Sequence, residues 1–383
     1  MQISKPINGH KVFIPAVLDF SVTDYCNANC NFCGFSRDRM RGQVRCFADA
    51  EQFARALPVL QARGIRYLNF QGGEPLLHPQ IIGMVRATRA AGMKPSLITN
   101  GYKLPEKAEA LAEAGLQNLY ISIDSADLDA HEQNRGLRGV RHRIAEGIAT
   151  LKTWGIPVVA SVTVSKLVDF QALPETLGAL GFDGVNFSYP RKDAFDSSSK
   201  VYAEDSALVD YQPEALVDAL EAIATLKKRY PVLNPEISIR DIQRHVRGEP
   251  EHFSCVGGYK YFYMDWNLEV WRCEAWHQPM GPVSDFGRME DIRDPCTACI
   301  MSCYRDSSTL MYSALAMKDA GQALLAGHAG EAARLLFDRR VWQSARAGLA
   351  EWALLTRLAR CKPDMVARAP AAVEPVKTPV PLK

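Results

Sequence analysis

No apolar run in this chain reaches the roughly 18–20 residues that a membrane-spanning helix needs. The first stretch, MQISKPINGHKVFIPAV, has no apolar core of the kind a secretory signal carries. Neither sign of charge dominates, since 45 Lys and Arg face 43 Asp and Glu for a net charge of +2. That balance leaves no strong basic field and excludes a dedicated nucleic-acid binder. Internal repeats beyond short strand–helix units are missing. Together these absences describe a cytoplasmic protein without a transmembrane span.

Apolar residues and cysteine are present in quantity. Hydrophobic residues make up 47% of 383, enough for one large α/β domain and an appendage. Cysteines in a reducing compartment point to metals or catalysis before disulfides. Eight of the ten fall into two groups. One is Cys26, Cys30 and Cys33; the other is Cys255, Cys273, Cys296, Cys299 and Cys303. Cys46 and Cys361 stand apart and read as ordinary thiols.

Short β-rich runs alternate with helical patterns up to about residue 190. The strands are expected at Val17–Val22, Arg66–Phe70, Pro95–Thr99, Asn118–Ile123, Pro157–Val164 and Gly184–Tyr189. Helices are expected at Asp49–Ala62, Pro79–Ala91, Pro105–Ala114, Val140–Thr153 and Leu173–Leu180, closed by Gly64, Gly92, Gly115, Gly155 and Gly181. Strand–helix alternation implies a parallel sheet with helices outside it. Six units predict an α/β fold built as a partial, TIM-like (β/α)6 barrel, followed by a C-terminal cysteine-rich module and a helical tail. The expected divisions are an N-terminal extension (1–14), the core barrel and a following helix at Pro213–Arg229 (15–230), the cysteine-rich module (231–307), C-terminal helices (308–368) and a Pro-rich disordered tail (369–383). In such architectures chemistry sits in the loops after the C-terminal ends of strands. Thr23–Cys33, Gln71–Pro75, Thr99–Gly101 and Asp124 all fall there.

Thiolates bind soft metals and iron–sulfur clusters, and a [4Fe–4S] cube normally takes four. The run CNANCNFC supplies three and leaves one iron open, as catalytic rather than structural metal sites do. A structural zinc site or core cysteines are the alternatives. The spacing, with Phe32 before the last cysteine, resembles the signature of the radical S-adenosylmethionine (SAM) superfamily. The resemblance covers roughly residues 15–190. It implies a cluster on Cys26, Cys30 and Cys33 whose open iron is chelated by SAM, and a 5′-deoxyadenosyl radical formed by reductive cleavage. It also implies an electron donor such as flavodoxin or ferredoxin.

Further positions match the family. Gly72, Gly73, Glu74 and Pro75 resemble its motif beside the methionine amino group, where glycines allow close backbone approach. Glu74 there receives a hydrogen bond from the cationic nitrogen or orients its neighbours. Thr99 and Asn100 resemble the polar strand end near the cofactor. Ser122 and Asp124 are expected to share one face of their strand and to contact the ribose or carboxylate; helix capping is the other reading of Asp124. Arg135 resembles an arginine near the SAM carboxylate, or is an exposed loop residue. Tyr189 is expected to face the substrate space, as a lining residue or a hydrogen donor. His78 reads as shaping its loop before carrying protons.

Cys255 and Cys273 flank a predicted hairpin turning at Asp265–Asn267, and Cys296, Cys299 and Cys303 follow as CxxCxxxC. Such pairs build one thiolate site for zinc or a second cube. The pattern resembles the SPASM/twitch extension of the same superfamily, with Asn267 at a usual glycine position. It implies one auxiliary [4Fe–4S] cluster, on Cys255, Cys273, Cys296 and Cys299 as first choice. Cys303 is then a free thiol, an alternate ligand or part of a shifted set. The CTACIMSCYRDSS ending and GGEPLLHP are also similar to enzymes that join the adenosyl radical to a hopanoid alkene. The expected activity is hydrogen abstraction from a small-molecule substrate: a sugar, cyclitol, cofactor precursor or isoprenoid lipid. Only 25 residues precede Cys26, so a leader-peptide domain is expected to be absent unless a partner supplies it. Adenosyl addition, peptide maturation and a non-enzymatic iron–sulfur or zinc redox sensor are the rivals. Val341–Arg360 reads as an amphipathic helix packed on the barrel, with membrane-surface contact as its second reading.

Overall fold

The computed structural model describes residues 14–191, 197–202 and 205–359. Cys361, the Pro-rich tail and nearly all of the N-terminal extension lie outside the described residues.

Six parallel strands lie side by side in chain order: β1 (Ala16–Ser21), β2 (Ile65–Gln71), β3 (Lys94–Thr99), β4 (Asn118–Ser122), β5 (Val158–Thr163) and β6 (Gly184–Ser188). Helices α1 (Ala50–Ala62), α2 (Ile81–Ala90), α3 (Leu104–Glu113), α4 (Leu128–Arg135), α5 (Val140–Thr153) and α6 (Leu173–Leu180) fill the connections. The five glycines expected to end helices all take positive φ. Asp49 starts α1 as its N-cap, accepting from the backbone N–H groups of Glu51 and Gln52. Strand alternation explains the two faces. Leu18, Phe20, Leu68, Phe70, Leu119 and Ile121 are fully buried, and each such side chain contributes about 1.5–3 kcal/mol. The alternate residues, Asp19, Asn69, Ser96, Tyr120, Ser161 and Asn186, line a cavity on the other face.

The cysteine-rich segment is continuous with this sheet. After α7 (Pro213–Leu226) and α8 (Glu236–Val246), strand β7 (Tyr261–Met264) pairs in parallel with β1. Strands β8 (Glu269–Trp271) and β9 (Pro279–Pro282) add antiparallel to it. The result is an open nine-stranded sheet ordered β6-β5-β4-β3-β2-β1-β7-β8-β9. The predicted hairpin forms, but its left-handed residue is Leu268 at φ 61° and not Asn267. Asp265 holds that turn by accepting from the backbone N–H groups of Asn267 and Glu269, and Leu268 buries its side chain.

Helices α9 (Ser302–Leu325), α10 (Ala329–Leu336) and α11 (Arg339–Ala359) close the chain. Helix α11 packs on α9 and α8, with Ser344 Oγ accepting from Ser313 N of α9 and Glu351 paired with Lys227 at the end of α7, and leaves Trp342, Leu349 and Trp352 exposed. Among the described residues no helix is long and apolar enough to cross a membrane.

Candidate active site

A cavity of about 630 Å3 lies on the polar face of the sheet. Cys26, Cys30 and Cys33 all line it, from the loop after β1. Burial raises the pKa of each thiol, and neighbouring cysteines add to the effect at Cys26 and Cys30. Such thiols keep their protons until a metal displaces them.

The motif after β2 holds this loop in place. The N–H groups of Gly73 and Glu74 donate to the carbonyls of Thr23 and Tyr25, both at 2.8 Å. A Cβ on Gly72 would lie 2.4 Å from the Thr23 carbonyl oxygen, and one on Gly73 would lie 2.3 Å from that of Tyr25. The glycines therefore admit the cysteine loop's own backbone. Gly73→Ala is expected to push that loop away, because a backbone carbonyl cannot give way as a side chain can. The measurement is iron retained after anaerobic reconstitution; a wild-type content would refute this docking role.

Glu74 is buried and orients its neighbours. One carboxylate oxygen accepts from Thr99 Oγ1 at 2.6 Å and Leu76 N at 3.0 Å; the other accepts from Asn100 N at 2.8 Å. Burial raises its pKa against these bonds. Asn100 donates to Asn27 Oδ1 at 2.8 Å and approaches Cys26 Sγ at 4.0 Å. The ends of β2 and β3 and the cysteine loop are thus one hydrogen-bonded unit. Gly72, Gly73, Glu74, Thr99, Asn100, Phe32 and Ser122 line the cavity, whereas Pro75 begins a buried 3-10 turn. His78 shapes this turn as expected: Nε2 bonds the Ala48 carbonyl at 2.8 Å, and Nδ1 accepts from Gln80 N at 3.1 Å.

Two predicted placements need correction. Asp124 lies just past β4, fully buried, and is not among the residues lining the cavity. It neither faces the cofactor space with Ser122 nor caps a helix; Asp127 caps α4. It accepts instead from Arg135 Nη2 at 2.6 Å and Asn134 Nδ2 at 2.8 Å. Burial is the largest single influence and would raise its pKa, but the charges and hydrogen bonds of Arg135 and His131 together outweigh it and hold the carboxyl well below the usual range. Arg135 is no loop residue: it ends α4, is buried, and reaches the cavity beside Cys30. Tyr189 also differs. Asn186 and Ser188 line the cavity, so alternation turns Tyr189 into the core, where its hydroxyl has no hydrogen-bond partner.

The second group divides. Cys255, Cys273, Cys296 and Cys299 form an electrostatically connected set outside the cavity. Burial and the charges of Cys299 and Cys296 push the Cys255 thiol up to about 11. The Cys255 N–H bonds the Cys296 carbonyl at 2.9 Å, tying the hairpin to the CxxC segment. Cys303 lines the main cavity, and after burial its largest influences are Asp19 and Glu274. Among the described residues no group of His, Cys, Asp or Glu converges on a single metal ion. A lone zinc needs every sulfur at about 2.3 Å from one point, while a cube holds its thiolates at separate corners. Both donor sets are soft thiols, the ligand chemistry that iron–sulfur clusters take.

Sequence reading missed Asp19, Glu274 and Asp306 as cavity residues. Asp19 had a visible signal, a lone charge inside the apolar strand AVLDFS. Tyr261 Oη donates to it at 3.1 Å and Asn69 Nδ2 at 3.2 Å.

Residues 20–177 match the profile of the radical SAM superfamily. Over that stretch the chain is similar to the radical SAM superfamily. That family uses a [4Fe–4S] cluster and SAM. Among curated relatives, the AdoMet-dependent heme synthase of Methanosarcina barkeri is 34% identical over 154 residues, covering 40% of this chain and 43% of that protein. The GTP 3′,8-cyclase of Microcystis aeruginosa is 34% identical over 174 residues, covering 44% and 48%. The chain thus spans about half the length of these curated relatives. In fold it is similar to Streptococcus suis SuiB bound to precursor peptide SuiA, with TM-score 0.52, 15% identity, and coverage of 80% of this chain and 73% of that one.

Proposed function

We propose that this chain is a SPASM/twitch-type radical SAM enzyme that abstracts hydrogen from a polar small molecule held in the sheet cavity. The observation that carries the reading is that Cys26, Cys30 and Cys33 open into the same cavity as the polar strand residues. Bound there, cluster and SAM together would supply the 5′-deoxyadenosyl radical. The chain's own residues position and shield. Glu74 and Asn100 fix the cysteine loop, Arg135 offers a cation beside Cys30, and Phe32 and Ser122 border the cofactor space. Cys255, Cys273, Cys296 and Cys299 would hold an auxiliary [4Fe–4S] cluster that takes an electron from the substrate or orders its pocket. Hydrogen-bonding side chains at successive inward strand positions favour a sugar, cyclitol or cofactor precursor over an isoprenoid lipid. A flavodoxin- or ferredoxin-type donor would supply the reducing electron.

Anaerobic reconstitution followed by reduction with SAM tests the reading. Free 5′-deoxyadenosine is the expected product. An adenosylated product would favour radical addition, and formation of neither compound would overturn the enzyme assignment.

Asp19 gives a separate prediction. Burial raises its pKa from 3.8 to about 7. Between these values the folded chain keeps a proton that the unfolded chain has lost, so stability falls as pH rises through this window and stays lower above it. Asp19→Asn cannot titrate and can still accept from Tyr261. It is expected to make the Tm profile less steep between pH 4 and 7, with the remaining slope due to Glu274 and Asp306, which burial also raises, and to raise Tm by a few degrees at pH 8. An unchanged profile would show that burial does not raise the Asp19 carboxyl.

A further inference from the structure

Arg272 follows β8 and immediately precedes Cys273. Its side chain is 1% exposed. Nη1 donates to Asp294 Oδ2 at 2.6 Å, and Nη2 pairs with the other carboxylate oxygen. The Trp276 ring centre lies 4.3 Å from the guanidinium carbon. The stem passes Gly258, where a Cβ would sit 2.8 Å from Arg272 Cγ. The cation is therefore fixed in position and largely removed from water. Both Cys296 and Cys273 act on it electrostatically. Asp294 lies two residues before Cys296 and is 45% exposed, so solvent screens the anion more than the cation. Arg305 also acts on Cys255 and Cys299, but it is paired with Asp241 and Glu251.

A cube held by four thiolates is an anion, and reduction adds a further negative charge. A buried cation beside it favours the reduced form; net charge and solvent exposure are the levers that set cluster potentials. We infer that Arg272, clamped by Asp294 beside Cys273 and Cys296, is a positioning residue that raises the reduction potential of the auxiliary cluster. This rests on the auxiliary-cluster reading above and assigns its charge control.

The test uses the full chain with Cys26, Cys30 and Cys33 changed to Ala, reconstituted anaerobically so that only the auxiliary cluster is present. Its potential is followed by redox titration with electron paramagnetic resonance. Arg272→Gln should move the potential to more negative values, and Arg272→Lys should stay near the parent. Asp294→Asn should move it the opposite way, because it removes the anion that offsets Arg272. An unmoved Arg272→Gln, or two shifts of the same sign as a merely loosened loop would give, overturns the inference. If Arg272→Gln loses its iron, Asp294→Asn decides: a positive shift supports the inference, and none overturns it. A parent that binds no iron fails the auxiliary-cluster reading itself, which is distinguishable because no variant then gives a signal.

Discussion

Cys30→Ala is expected to reduce 5′-deoxyadenosine formation to background while leaving auxiliary iron in place. On the proposed assignment a three-thiolate site has no spare ligand: the fourth iron is needed for SAM, and two thiolates do not hold a cube in a catalytic pose. The surrounding side chains cannot substitute. Asn100 spends its amide on Asn27 and its oxygen on Tyr102 N. Glu74 spends both carboxylate oxygens on β3 and its own turn. Cys46, the next cysteine in sequence, has its backbone tied to Asp24 and Thr23 and does not line the cavity. The control is Cys303→Ala, which removes a thiol facing Asp19 and Glu274 and should leave SAM cleavage intact. Iron analysis and product chromatography on the two variants decide the matter. Wild-type 5′-deoxyadenosine from Cys30→Ala would remove the first cluster from this loop.

Much of the core was legible because its signals are local. The helices at 140–153 and 173–180 were predicted to the residue, since apolar periodicity and a following glycine mark both ends. Helix α4 was missed because LDAHEQNR has almost no apolar face. Its ends were nevertheless written in the sequence, as Asp127 at the N-cap and Gly136 at φ 58°. That omission made Arg135 look like a loop residue and hid its pairing with Asp124. The joining of β7 to β1 could not be read, because a pairing across more than 240 residues leaves no local pattern. The Gly72–Gly73 contact was legible as a need for close approach but not as to its partner. The left-handed position of the turn falls on Leu268 although Asn267 tolerates that conformation better, because tertiary burial of Leu268 decided the outcome.

The Asp124–Arg135 pair yields the second large effect. Arg135→Met is expected to cost about 3–5 kcal/mol, the range for stranding one partner of a buried ion pair. For a domain of this size that is on the order of 10 °C in Tm. Asp124 would keep Asn134 as a donor but lose the cation that offsets its burial. The loss should shrink as pH falls, because the stranded carboxylate can then take up a proton; wild-type Asp124, held low by Arg135, keeps its charge further into acid. Replacing both partners, as in Asp124→Leu with Arg135→Met, should cost less than the sum of the single changes, since no charge is left unpaired. The effect should also reach the cysteine loop. The end of α4 holds it through Asn29 N to the Arg135 carbonyl at 2.7 Å and Asn31 N to Asn134 Oδ1 at 3.3 Å, so iron retention should fall alongside Tm. A loss no larger than the roughly 0.5 kcal/mol of an ordinary surface substitution would show that Arg135 is not needed to neutralise Asp124. A loss of Tm with full iron retention would instead confine the pair to stability and separate α4 from the positioning of Cys26, Cys30 and Cys33.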